Sequence, residues 1–384
     1  MRRSVVMRKF VSLLALWLLA VSTLGAAPQL RTARNQYFEV LGLDLRSVSY
    51  VSDLSVFSVE IAQRYLKAEG LDFPQPILLS LRPEIHVDFE GDYRVGLGER
   101  NSVQLDVRWE DDMSLQRTCR ALAEALLRQY SLFNYGRLAA TNLRAWPVEA
   151  LAGEIYYGLR SAEFLEALER RRKSPLGSLQ SIVARLQSEQ VKTAASVDLD
   201  EGYWLLTALK SSHLKRDTVV SLFQQATAGR DIKQALTTAI QPSGPTADPV
   251  SVEDWFHARM ADLLKQEYDV IESMDTSRDW LTTLANLQEP FALESGEKKL
   301  NLRSLWLHRA DPAVQERVRA RYEILLLRMA RINPAYYNPA RSLGVLFESI
   351  LQETPSHLYL HHLTIYLSDW EDAKEMQAEI IKHL

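Results

Sequence analysis

Apolar and polar positions alternate in the first third of the chain and recur at helical spacing over the rest. "QYFEVL" (36–41) reads as a short strand, "ILLSL" (77–81) as a buried strand with "IHVDF" following it, and "SVQLDV" (102–107) as a strand with Val103, Leu105 and Val107 on one face. Between them, "SDLSVFSVEIAQRYLKAEG" (52–70) places Leu54, Phe57, Ile61 and Tyr65 at helical spacing. Ser52 or Asp53 is the expected cap and Gly70 the expected end. "GDYRVGLGER" (91–100) is rich in turn residues. From Ser114 onward the pattern is helical almost to the end. Ser114 is the expected N-cap of a long helix, Asn134 to Arg144 a less regular connection, and Pro147 the first residue of the next helix. Ser161, Asp217, Ser251, Asp311-Pro312 and Ser368 mark further starts. The run Arg170 to Lys173 pairs with Glu166 and Glu169 on a solvated helix face. "QPSGPTADP" (241–249) is a loop, and "LESGEKK" (293–299) a candidate hinge. The fold class expected is α+β: a small mixed sheet with helices, then a mainly helical C-terminal region.

The chain has 384 residues, 47% of them hydrophobic, with a net charge of −4. That supports a sizeable core and excludes a disordered chain; without a basic excess, no nucleic-acid partner is expected. Arg2, Arg3, Arg8 and Lys9 precede the apolar run Phe10 to Val21, and Leu24-Gly25-Ala26-Ala27 offers small residues for cleavage. Residues 1–27 therefore read as a signal peptide. The expected location is exported, periplasmic or secreted, in a bacterium, with membrane attachment only if the segment stays uncleaved. Cys119 is the one cysteine, so no intramolecular disulfide forms, and its place among apolar helix residues makes it a core side chain.

The order strand, helix, strands, long helix, connection, second helix carries two short motifs, "AEALL" (123–127) on the long helix and "WPVEALAGE" (146–154) on the next. In this layout the chain resembles the peptidase MA-like branch of the gluzincin, zincin-like metallopeptidases. Those enzymes carry HExxH on the first helix and a third metal ligand, a glutamate, on the second. The resemblance covers about 30 to 265, with "YWLLTAL", "AGRDIKQAL" and "VEDWFHARM" similar to the family's following helical half. It implies that Ala123 and Leu127 hold the histidine positions, Glu124 the general-base position, Glu149 the third-ligand position and Trp146 the family tryptophan. Both histidines are absent, so the resemblance implies a degenerate site with no zinc, no other cofactor and no confident catalytic residue. Trp146, Glu154, Arg120 and Arg128 are the candidate cleft residues. The domains implied are 30–160, a zincin-like subdomain; 161–265, its helical subdomain; and 266–384, a C-terminal helical region.

Read singly, Glu124 with Arg120 and Arg128 makes an ordinary solvated stripe, and Glu149 sits in a first helical turn where a carboxylate favours the dipole. "HLYLHH" (357–362) places His357 and His361 one turn apart, on a packed or interaction face. "DLDEG" (198–202) supplies too few ligands for a calcium loop. Three functions follow. The leading one is a non-catalytic binding or scaffold module for a peptide or protein in the cell envelope. The second is a metal-independent hydrolase using Glu124 and Glu149 as paired carboxylates. The third is a helical interaction module working through 266–384.

Overall fold

The alternating segments pair into one five-stranded sheet in the order β1-β2-β3-β5-β4. Its strands are β1 Arg31–Arg34, β2 Phe38–Gly42, β3 Ile77–Arg82, β4 Tyr93–Leu97 and β5 Val103–Arg108. β2, β3 and β5 run parallel, while β1 and β4 are antiparallel edges. A parallel join needs a crossover, and between β2 and β3 helix α1, Leu45–Ala62, supplies it. Phe38, Val40, Ile77, Leu79, Val103 and Leu105 are fully buried on one face. The opposite face is polar, with Asp106 bridging Arg82 at 2.8 Å and Arg94 at 3.1 Å. One covered face and one wet face explain the clean alternation. This computed structural model describes residues 30–98, 102–110, 113–173, 186, 201–241, 250–266, 270–287, 291–293 and 296–383.

Helix α2, Leu115–Tyr135, lies on the covered face of the sheet and packs against helix α4, Ala145–Leu159, with the short α3, Arg137–Thr141, between them. The remaining helices are α5 Ser161–Lys173, α6 Glu201–Lys210, α7 Arg216–Thr227, α8 Lys233–Ile240, α9 Val252–Lys265, α10 Met274–Ala285, α11 Leu302–Leu305, α12 Pro312–Arg328, α13 Tyr337–Leu351 and α14 Ser356–His383. The fold is thus α+β, with the helical part mostly C-terminal. α6 packs on α4, and α12 packs on α1. Two buried polar contacts fasten that last pairing. Asp53 of α1 meets Arg317 at 3.3 Å and Arg321 at 3.4 Å. The guanidinium of Arg328 lies between the rings of Phe57 and Trp280 and makes a two-pronged bond to Glu272 at 2.9 and 3.0 Å.

Several boundaries differ from the sequence reading. α1 starts at Leu45, because Asp44 rather than Ser52 or Asp53 caps it, accepting from Ser47 N at 2.7 Å. It ends at Ala62, well before Gly70; Val48 and Val51 already extend its buried face upstream. Asp53 is therefore a buried mid-helix ion-pair partner. The turn-rich 91–100 stretch contains strand β4: Gly91, at φ 89°, makes the turn, and Tyr93, Val95 and Leu97 stand opposite Val107, Leu105 and Val103. Its glycines hid a real alternation. "IHVDF" opens in a 3-10 turn, Glu84–His86. The connection 134–144 contains α3, and Pro147 is the third residue of α4, where its missing N–H still costs no helical bond. Asp217 lies one residue inside α7, and Ser368 lies inside α14, which starts at Ser356. Ser114, Ser251 and Asp311 are N-caps as read, and Ser161 begins α5. Arg170 sits 3.8 Å from Glu166. Described residues in and just before "LESGEKK" form a hairpin, Phe291–Leu293 with Gly296–Lys298. The signal segment, residues 242–249 of the loop and most of "DLDEG" lie outside the described residues.

Candidate functional site

α2 is buried almost all round, since the sheet covers one side and other helices cover the rest. Thr118 through Leu127 are all buried, as are Gln129 to Leu132. Ala123 and Leu127 have no exposure at all. A charged side chain on such a helix must find a partner, because an unpaired buried charge is expensive. Glu124, 5% exposed, finds two. Arg128 Nε, one turn on, donates to its Oε1 at 2.8 Å, and Tyr93 Oη of β4 donates to its Oε2 at 2.9 Å. Arg128 Nη1 goes on to the Ala140 carbonyl of α3 at 2.9 Å. Burial, and then the Glu124 carboxylate, push the Tyr93 phenol well above its ordinary range, so it remains a donor.

Glu149 is 1% exposed on α4. Its Oε2 accepts from the Gly202 N–H of α6 at 3.2 Å, and its Oε1 lies 3.8 Å from Arg120 Nη2 of α2. Gly202 is required there: a Cβ would stand 2.6 Å from the Trp146 carbonyl oxygen and 2.8 Å from Glu149 Oε2. Trp146 is fully buried, edge-on to Phe223 of α7 at 5.6 Å. Glu154 belongs to a separate cluster on α4. It accepts from Tyr65 Oη at 2.7 Å and from Lys210 Nζ at 2.8 and 3.0 Å. Burial works to raise its pKa, but Lys210 and Tyr65 outweigh that and hold the carboxyl below its usual range.

Arg120 and Arg128 thus lie beside the two glutamates, and all four side chains are buried or nearly so. The solvated-stripe reading of Glu124 is corrected: its helix face is covered on both sides. At least one glutamate is expected to need an arginine or a backbone donor, and each has one. Tyr93 and Gly202 were missed. Tyr93 sat in a stretch read as turn, while the close backbone approach at Gly202 depends on α6 meeting α4.

The side chains at 123 and 127 are a methyl and an isobutyl group, and each glutamate is engaged by an arginine. Among the described residues no three His, Cys, Asp or Glu side chains converge as metal ligands. His357 and His361 are exposed on α14. Among the described residues, no helix is long and apolar enough to cross a membrane. No protein-family model, curated protein or solved structure matches this chain.

Proposed function

We propose that this chain is an exported, non-catalytic protein of peptidase MA-like descent that serves as a binding or scaffold module in the cell envelope. The observation that carries the reading is the fate of the two glutamates. In a gluzincin, Glu124 would stand free to activate water and Glu149 would hold metal. Here Glu124 is closed off by Arg128 and Tyr93, and Glu149 by Arg120 and the Gly202 amide. A carboxylate buried and engaged this way ties helices together rather than facing a substrate. The same burial weakens the paired-carboxylate hydrolase reading, since the Glu149 side chain is 0% exposed.

Elemental analysis and a casein-hydrolysis assay on protein purified from the periplasmic fraction test the proposal. The expected result is sub-stoichiometric zinc and no hydrolysis. About one tightly held zinc per chain, lost in Glu149→Ala, overturns it.

A second reading has support in α14. Leu360, Leu367 and Ile381 are each at least 46% exposed and lie on one side of this 28-residue helix, within about 60° of one another at 3.6 residues per turn. An apolar face of that kind suits a protein partner, and this favours a working surface within 266–384. Replacing Leu360 and Leu367 by Glu would abolish such an interaction while leaving the fold intact.

A further inference from the structure

A cavity of about 300 Å³ opens where the chain leaving α1 meets the end of α6 and the start of α7. Neither Glu124 nor Glu149 lines it. Three cations line it: Arg64, Lys210 and Arg216. Lys210 is committed to Glu154, whose carboxylate also takes the Tyr65 hydroxyl. Arg64 and Arg216 are different. Among the described residues, no hydrogen bond or ion pair engages either guanidinium. Arg64 feels the charges of Glu154 and Glu60 only at longer range. Neither carboxylate lines the cavity, and nor does the exposed Asp217 of the same turn as Arg216. The described lining therefore carries three cations and no carboxylate.

The other walls are apolar and built. Tyr65 is buried, its ring 5.3 Å from that of Phe223, and Leu214 and the buried Val219 close the sides. A cavity of this size suits a small molecule. Two unpaired guanidinium forks suit an oxyanion, which each can grip through paired N–H donors.

We propose that this cavity binds a small organic anion, a carboxylate or phosphate group on a short apolar body, with Arg64 and Arg216 gripping the oxyanion and Leu214 and Val219 covering the apolar part. The proposal does not rest on the peptidase resemblance.

Titration calorimetry on the full chain tests it, with hexanoate, hexyl phosphate and 1-hexanol as probes. Saturable binding of hexanoate or hexyl phosphate is expected, and whichever binds tighter identifies the head group. Hexanol should give no saturable heat. Arg64→Gln and Arg216→Gln should each weaken the anion at least about tenfold. Arg216 is exposed, so its variant tests the site without endangering the fold, and a thermal melt on both variants checks folding. Failure of both anions to bind overturns the proposal. So does hexanol binding as tightly as they do, or unchanged affinity in the folded Arg216→Gln protein.

Discussion

Arg120 Nη2 of α2 lies 3.8 Å from Glu149 Oε1 of α4, with both side chains buried between the sheet and α6. Removing one partner strands the other in a dry interface. Arg120→Met should cost about 3–5 kcal/mol of unfolding free energy. The double variant Arg120→Met, Glu149→Met should cost less than the sum of the single changes, because neither charge is left behind. Urea unfolding of the four proteins measures the coupling. Strict additivity would show that the pair does nothing as a pair.

Ala123 and Leu127 are fully buried, so placing a histidine pair at these positions means adding bulk and polarity to a packed core. Ala123→His with Leu127→His should cost at least about 1–3 kcal/mol from overpacking alone. Arg128, Tyr93 and Arg120 would still hold the glutamates, so neither stoichiometric zinc nor peptidase activity should appear. Tight zinc and proteolysis in that variant would mean that a site had stayed preformed.

Much of the architecture was legible because it rests on local signals. Val103, Leu105 and Val107 announce a half-buried strand by alternation alone, and Ser114, Ser251 and Asp311 announce helix starts by side-chain capping. β4 was not legible, since Tyr93 and Val95 are bracketed by Gly91 and Gly96 and gain strand geometry only by pairing with β5. For the candidate site, the sequence indicated Glu124 with Arg128, but it set Arg120 beside Glu124, whereas Arg120 turns to Glu149 on the neighbouring helix. It could not indicate Tyr93, Gly202 or Lys210, which reach the site across 31, 53 and 56 residues of chain. Arg328 was hidden for the same reason: its partners Phe57, Trp280 and Glu272 come from distant segments.

Gly153 and Gly202 let α6 lie close on α4. A Cβ at Gly153 would stand 2.4 Å from Tyr203 Cδ2, and one at Gly202 would stand 2.6 Å from a backbone oxygen. At Gly153 the Tyr203 Cβ, fixed to the α6 backbone, would itself stand 2.8 Å away, so turning the ring does not relieve the clash. Gly153→Ala and Gly202→Ala should each lower the melting temperature, at a cost of about 1–3 kcal/mol. An unchanged melting temperature in either variant would show that α6 moves freely against α4.

Glu60 is half-buried, with its Oε2 out of solvent and unbonded. Burial raises its pKa, and Arg328 and Arg64 only partly oppose that. A carboxyl with a raised folded pKa holds its proton longer in the folded state than in the unfolded one. It therefore lowers stability as pH rises from the ordinary carboxylate range through the raised value. Glu60→Gln should melt higher than the parent at neutral pH, and the gain should vanish on acidification below pH about 4. A variant that melts lower at neutral pH would show that Arg64 or Arg328 depends on this charge.

Glu154 predicts the opposite pH dependence on the neighbouring helix. Its carboxylate takes two bonds from Lys210 Nζ and one from Tyr65 Oη, and these outweigh the burial that would otherwise raise its pKa. A carboxyl with a lowered folded pKa stabilises the fold above its unfolded pKa, and that contribution is lost as pH falls through the folded value. Glu154→Gln removes the charge and places an amide N–H₂ against two donors, Lys210 and Tyr65. At neutral pH it should cost about 1–3 kcal/mol, the penalty for a buried polar group left with the wrong partner. As the parent is acidified its own carboxyl protonates, so the gap between the two melting curves should close from the parent's side. Thermal melts of both proteins from neutral pH to pH about 3 follow this directly. A gap that stays constant into acid would mean that the Lys210–Glu154 contact contributes through shape rather than charge.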